Sequence, residues 1–277
     1  PRLAWGLPSS MSSRTPRWFT RCLVLGLLAS AGGLRAAPAS AQLGYRDLDP
    51  AHPVRVEDAS PVARHAFELL TPWDYVQPTG EAGENHLDVD LNYGVAMNWH
   101  AGFRLPVAFG PGGETGVAGI GAFALFNPVR EGAGVPALSL RGDFFSPTGA
   151  SARAGLTAIA TRSLGAARVH LNAGAAAGEE ASDALPRWHG GLALDYTFFR
   201  PSLLIVGALS ASQPGEGDPT ESEVSAGLRW QWTPTTVVEA GAGRRLSSAG
   251  PDLRLTLGLS STFGFRRMVP VRPPSGP

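Results

Sequence analysis

The sequence lacks lysine altogether and contains a single cysteine, Cys22. One cysteine excludes a disulfide framework and any multi-cysteine metal site. All 23 basic residues are arginine, they balance 23 acidic residues, and no basic cluster occurs. We therefore expect no nucleic-acid partner, because the charge pattern that binds phosphate backbones is missing. Charged residues make up 17% of the 277 residues, below the roughly 25% of a soluble domain, which indicates a small water-facing surface.

The N-terminal part has the three features of a secretory signal peptide. Met11 is followed by three arginines, by the apolar run 22–34 and by small residues that end at Ala41. This order of basic, apolar and small residues is typical of export signals, and the apolar run is too short for a membrane-spanning helix. We predict an upstream extension at 1–10 and a signal peptide at 11–41 that is cleaved after Ala41. The alternative is an uncleaved N-terminal anchor.

Alternation of apolar and polar residues dominates the rest of the chain. Between residues 85 and 93, Leu87, Val89 and Leu91 fall on one side of an extended chain and polar residues fall on the other. A period of two predicts strands with one face in an apolar medium and one face in water. Similar segments recur towards the C-terminus, separated by Gly, Pro, Asn and Asp. They predict an all-β chain of about twelve antiparallel strands, with ten as the next best count.

An exported chain of this kind forms either a soluble sandwich or barrel with its apolar faces inward, or an up-and-down transmembrane β-barrel. The segments have the roughly 9–11 residues that a tilted strand needs to cross a bilayer. Aromatic residues cluster near segment ends, as the interfacial girdle of such a barrel requires. Both features favour the barrel, which also has no exposed sheet edge. The residues expected to face lipid near mid-strand are Leu91, Leu140, Leu194, Leu228 and Leu257.

The barrel reading places the charged residues of the opposite strand face in the lumen. There they would determine which solutes enter, or pair with one another and close the lumen. The predicted lumen-lining residues are Asp88, Asp90, Arg104, Arg141, Asp143, Arg168, His170, Asp195 and Arg229.

Residues 42–64 form a charged lead with several prolines, which is unsuited to a central strand or to hydrocarbon. We expect this lead to be either a periplasmic tail or an insert in the barrel mouth. Arg55, Glu57 and Asp58 could pair with charges of the lumen, so we hypothesise that residues 53–60 dock at the periplasmic mouth and restrict the lumen.

Several short motifs resemble a known family. They are the segments PVRVEDA at 53–59, LDVDLNYG at 87–94, PALSLR at 136–141 and SPTG at 146–149. They resemble the bacterial outer-membrane barrels of the MetA-pathway-of-phenol-degradation family, often called transporters. The resemblance implies a barrel over 65–265, an envelope location and uptake of aromatic compounds, and it implies no catalytic residues. Two departures are Ser146, where an apolar residue is usual, and the tail 266–277 after the last strand.

Catalytic and metal-binding alternatives rest on smaller groups of residues. Ser163, His170 and Asn172 could form the serine–histidine–asparagine set of a lipid-modifying hydrolase in the barrel. His86 with Asp88 and Asp90 could hold a metal ion, although acidic residues that line a wet lumen explain the same pattern. We predict no enzyme activity, no cofactor and no metal.

The combined prediction is a monomeric outer-membrane barrel that acts as a porin-like channel for small solutes, with hydrophobic or aromatic compounds as the candidate class. The structural alternative is a plugged barrel that serves as a scaffold of the envelope. The expected partners are outer-membrane lipid, small-molecule solutes and the barrel-assembly machinery.

Overall fold

The computed structural model describes residues 44–50, 52–110, 115–178, 184–198 and 202–264. The predicted upstream extension, the signal peptide and the tail 266–277 lie outside the described residues. Within the described ranges, no helix is long and apolar enough to cross a membrane.

Fourteen antiparallel strands form one sheet. In chain order they are β1 (Phe67–Leu70), β2 (Trp73–Gln77), β3 (Glu84–Ala96), β4 (Trp99–Phe109), β5 (Gly116–Val117), β6 (Gly119–Val129), β7 (Ala137–Pro147), β8 (Arg153–Leu164), β9 (Ala167–Ala177), β10 (Trp188–Thr197), β11 (Leu203–Gln213), β12 (Glu221–Thr233), β13 (Thr236–Arg245) and β14 (Leu253–Phe263).

The sheet closes into a twelve-stranded barrel because two pairs of segments act as single strands. β1 and β2 both lie between β3 and β14, and β5 and β6 both pair with β4. Pro72 interrupts the first pair, since proline has no amide hydrogen for the ladder. Every other strand pairs with its neighbours in the chain, and β14 returns to β1 with Phe67 opposite Phe263. The predicted fold and the strand count of about twelve are confirmed.

The two ends of the barrel differ in the length of their connections. At one end, three connections have only two residues, at 97–98, 165–166 and 234–235, whereas 130–136 and 198–202 are longer. At the other end every connection has at least five residues, as at 178–187 and 214–220. We call these the short-turn end and the long-loop end.

The two faces of each strand differ as the alternation predicts. In β10, Leu194 is 56% exposed on the outside, while the next residue, Asp195, is fully buried inside. All five leucines expected at the lipid face are exposed. The outer surface is thus an apolar band, and the polar residues face the interior.

A plugged lumen as the candidate functional site

The segment before the first strand lies inside the barrel. Residues 44–66, which we call the plug, bury Val54, Val56 and Ala59 almost completely. The plug begins and ends near the short-turn end: Tyr45 lies 3.4 Å from the Thr197 hydroxyl, and the amide of His65 donates to Gly94. Backbone and side-chain bonds between residues 48 and 58 hold the two arms of the plug together. The plug therefore enters the lumen as a folded-back excursion and leaves at the same end.

Two acidic residues fix the plug to arginines of the wall. A carboxylate oxygen of Glu57 lies 3.1 Å from Nη1 of Arg141, and that of Asp58 lies 3.2 Å from Nη1 of Arg168. Asn172 accepts from the Glu57 amide at 2.7 Å and donates to its carbonyl at 2.8 Å. Burial raises the pKa of Glu57 to about 7, although the charge of Arg141 opposes this shift.

Side chains of three strands, β6, β7 and β8, hold the peptide groups of Ala59. Its amide donates to the Thr161 hydroxyl at 3.0 Å. Its carbonyl accepts from the Ser139 hydroxyl at 2.6 Å and from the Asn127 side chain at 3.1 Å. Because buried peptide groups are costly without partners, these bonds determine how deep the plug sits.

On the other side of the plug, His52 and Asp49 meet an ion pair of the wall. Nη1 of Arg229 lies 2.8 Å from Glu239 and 3.4 Å from Asp49, and His52 bonds Glu239 through Nδ1. Burial lowers the pKa of His52, but the charge of Glu239 outweighs it and raises the value to about 9. His52 is therefore a cation in this arrangement at neutral pH.

An apolar contact completes the packing of the plug. Leu48, Val54 and Val56 pack in one buried cluster with side chains of β10 and β11, which are Ala193, Leu204, Val206 and Ala208. Glycines of the wall allow close approach, since a Cβ on Gly191 would stand 2.6 Å from Val56 and one on Gly227 would stand 2.7 Å from Pro53. The sequence analysis missed this apolar patch, because β11 is apolar on both faces and its inward side could not be recognised.

The predicted lumen-lining residues all lie on strands, and most form ion pairs with one another or with the plug. Asp90 accepts from Arg104 at 2.8–3.1 Å. Asp195 accepts from Arg168 at 2.6 Å and contacts His170 at 2.9 Å. The remaining pairs are Arg141 with Asp143 and Glu57, and Arg229 with Glu239 and Asp49. Asp88 is half-buried on the same side of β3 as Asp90. Their role in solute passage stays a prediction.

The structure does not assemble the suggested hydrolase trio. The hydroxyl of Ser163 donates to Glu131 at 2.8 Å, and Ser163 stands opposite Arg168, not His170, in the ladder between β8 and β9. His170 instead contacts the Thr161 hydroxyl and Asp195, at 3.0 and 2.9 Å. Thr161 already accepts the amide of Ala59, so this buried chain of bonds positions the plug.

The suggested metal site does not form either. His86 lies beside Glu84, and the described part of the chain contains no group of three or more His, Cys, Asp or Glu suited to a metal ion.

Above the plug, small cavities remain towards the long-loop end. One of about 20 Å³ is lined by side chains that include Arg104, Phe123, Arg141 and Phe145, with Leu185 of the β9–β10 connection folded in beside it. The guanidinium of Arg141 stacks 4.0 Å from the ring centre of Phe123. Another cavity of about 10 Å³ lies near Arg55, the part of the plug that reaches furthest towards this end. Each is about the size of one water molecule.

No protein-family model matches the sequence, and no curated protein matches it with significance. Solved structures do resemble the fold. A crystallised outer-membrane channel from Pseudomonas putida F1 aligns with a TM-score of 0.57 and 16% identity, over 78% of this chain and all of that chain. The KdgM porin aligns with a TM-score of 0.50 and 12% identity, over 71% of this chain and 99% of that chain. The chain thus has the fold of outer-membrane channel and porin barrels.

Proposed function

We propose that the protein is a porin-like channel of the bacterial outer membrane, whose plug restricts the passage of small solutes. The observation that carries this proposal is the separation of the two barrel faces. The outside exposes a continuous band of large apolar side chains, and the inside holds nearly all the buried charges. A soluble barrel would require the reverse arrangement, with its apolar residues inside.

The connections suggest how the barrel is oriented. In outer-membrane barrels the short turns face the periplasm and the long loops face outwards. The plug then enters from the periplasmic side, where the chain arrives after export. The wild-type protein should fractionate with outer membranes and resist carbonate extraction, and recovery from the soluble periplasm would refute the location.

A displaceable plug fits a channel better than a rigid scaffold does. Apart from the peptide chain that continues into β1, noncovalent contacts hold the plug in place, and both of its ends lie at the short-turn end. It can therefore leave the lumen without threading through the barrel. The observation that favours the scaffold alternative is the tight filling of the lumen, where the two cavities described above have volumes of only about 10 and 20 Å³.

Deletion of Gln42 to Ser60 separates these two functions. The deleted protein should insert normally and give a higher single-channel conductance in planar bilayers than the full chain. Unchanged conductance in a well-inserted deletion would mean that the plug does not restrict the lumen. If neither protein conducts, the barrel is a scaffold.

For the solute class we propose small, uncharged aromatic or hydrophobic compounds. The cavity beside Phe123 and Phe145 offers aromatic faces and two arginines, Arg104 and Arg141, that can stack on a ring. The resemblance to the phenol-degradation barrels suggests the same class. Liposomes that contain the protein should admit phenol faster than a sugar of similar size. Phe123→Ala should reduce this preference, whereas Phe103→Ala on the outer face, away from the cavity, should not.

A further inference from the structure

Three arginines of the barrel wall share one arrangement. Each is buried, each contacts a carboxylate of the wall, and each also contacts a carboxylate of the plug. The three sets are Arg141 with Asp143 and Glu57, Arg168 with Asp195 and Asp58, and Arg229 with Glu239 and Asp49. A guanidinium group has five N–H donors, so one arginine can hold two carboxylates at once. When the plug leaves, the wall carboxylate would keep each guanidinium in place, ready for another acidic partner.

An apolar patch lies between two of these arginines. In the ladders, Val206 stands opposite Asp195, the wall partner of Arg168, and Leu204 stands opposite Arg229. Strands in a sheet are about 4.8 Å apart, so roughly 14 Å of wall separates β9, which carries Arg168, from β12, which carries Arg229. The patch on the two strands between them consists of Ala193, Leu204, Val206 and Ala208. We call the patch and these two arginines the exchange site.

The plug fills the exchange site with groups of matching chemistry. The carboxylates of Asp58 and Asp49 contact its two arginines, and the patch is covered by Leu48, Val54 and Val56. Burying a new charge here would be costly. A ligand that brings its own carboxylate and apolar body avoids this cost, because one carboxylate leaves as another arrives and the charge of the site does not change.

The second part of the plug is held by different groups. The amides of Ala59, Val62 and His65 donate to a hydroxyl, an imidazole nitrogen and a backbone carbonyl of the wall. These acceptors do not attract a carboxylate. A carboxylate ligand therefore competes with residues 44–58 and leaves residues 59–66 docked.

We propose that the exchange site binds an amphipathic carboxylate, with the carboxylate on Arg168 and the apolar body on the patch, and that this ligand displaces residues 44–58 of the plug. This inference rests on the proposed function and adds the ligand that opens the channel. The cavities of about 10 and 20 Å³ beside the docked plug are too small for such a ligand, so it binds the released state and shifts the population towards it. At about ten times its dissociation constant for that state, the ligand raises the ratio of released to docked plug about elevenfold.

A thiol in the plug measures its release, because the only native cysteine, Cys22, lies in the predicted signal peptide. Val56→Cys places the thiol against the patch, at a position that is 1% exposed. The protein in detergent micelles is treated with an uncharged maleimide, in the presence of 3-phenylpropanoate or of its uncharged analogue 3-phenylpropanamide, and labelling of residue 56 is followed by mass spectrometry. In the unsubstituted protein, trypsin cleavage after Arg55 reports the same release.

Two further variants break one ion pair from opposite sides. Arg168→Gln and Asp58→Asn should both raise the basal labelling rate, because each removes a contact between the wall and the plug. Only Asp58→Asn keeps the arginine that receives the ligand, so it should respond at a lower concentration of 3-phenylpropanoate than the parent, whereas Arg168→Gln should not respond. Arg254→Gln is the matched control and should respond like the parent, because the carboxylates near Arg254, those of Glu223 and Asp74, belong to the wall.

In the parent, 3-phenylpropanoate should accelerate labelling at least about fivefold, and the amide less than about twofold. Equal acceleration by the acid and the amide would overturn the proposed site, as would an unchanged response in Arg168→Gln. Labelling and cleavage do not need conduction, so these results are distinct from a failure of the channel function, in which no current would flow through any variant.

Discussion

Consecutive residues of one strand face opposite sides of the barrel wall, and the two sides require opposite kinds of side chain. Leu228 and Arg229 are consecutive in β12, and their exposed fractions are 46% and zero. In a soluble protein the leucine would be the buried residue. The comparison shows that the environment of each side chain depends on whether its position in the strand is odd or even, and not on its distance from a core. Four experiments test this difference, in order of decreasing expected effect.

Breaking an inner ion pair should cost most. Arg229→Met leaves the buried carboxylate of Glu239 without its main partner, and removing one member of a buried pair typically costs about 3–5 kcal/mol. The loss is measured as the change in the free energy of unfolding in guanidinium, with the protein in detergent micelles. The double variant with Glu239→Gln should recover much of it. A loss below about 1 kcal/mol would indicate that water reaches the pair.

Placing a charge on the outer face should cost slightly less. Leu194→Arg puts a guanidinium near the middle of the apolar band. At a lipid-exposed position of a barrel, this change should lower the free energy of unfolding by about 2–4 kcal/mol. Leu246→Arg, just beyond β13 at the long-loop end, is the matched control and should be nearly neutral. Unfolding in lipid vesicles measures both. Equal effects would contradict a membrane band around Leu194.

Two adjacent glycines of β10 test the faces with the smallest possible side chain. Gly191→Ala would press on Val56 of the plug and should cost about 1–3 kcal/mol, as overpacking usually does. Gly190→Ala points outwards, its nearest neighbour stands 3.6 Å away, and it should be tolerated. Adding Val56→Ala to the first variant should restore stability. If Gly190→Ala is the more harmful change, the assignment of the two faces is wrong.

A change of pH should have the smallest effect, confined to the plug. Burial raises the pKa of Glu57 from 4.5 to about 7, and Glu239 raises that of His52 from 6.5 to about 9. Both groups bind protons more tightly in the docked plug than in a released one. Their contribution to the stability of the docked plug is therefore complete at pH values below their ordinary pKa values. It is lost as the pH rises through about 7 for Glu57 and about 9 for His52.

Conductance measures this release. It should increase from acidic to alkaline pH, and Glu57→Gln should flatten the part of the profile near pH 7. An increase of conductance towards acidic pH would contradict the sign.

The sequence was sufficient for the features that depend on local pattern. Alternation in β12 and β14 predicted which residues face outwards, because one apolar face and one polar face leave a single choice. Pro72 divides the first strand of the barrel into β1 and β2, as expected for a residue without an amide hydrogen. The inward face of β11 could not be predicted, because both faces are apolar and the plug alone distinguishes them.

The details of the site depended on distant contacts. The opposite charges of Glu57 and Asp58 suggested docking, but their partners Arg141 and Arg168 lie on strands far along the chain, so sequence spacing could not identify the pairs. Thr161, and not Ser163, bonds His170 because Thr161 stands directly opposite His170 in the ladder between β8 and β9, whereas Ser163 stands opposite Arg168. Nothing in the sequence indicates that the Thr161 hydroxyl accepts a hydrogen bond from the amide of Ala59.

The closing pair β1–β14 also has a consequence for how the molecule assembles. The contacts of β1 and β2 with β14 are long-range, since Phe67 must find Phe263 across nearly the whole domain, whereas the other strand pairs join neighbouring strands and can form as local hairpins. Closing this long loop has an entropic cost, so we expect it to occur late in folding. The plug is covalently continuous with β1, one of the strands that close the barrel. Placement of the plug and closure of the barrel are therefore expected to be one kinetic event. A plug variant that inserts slowly would leave an open sheet, whose free edges invite aggregation before the membrane is reached.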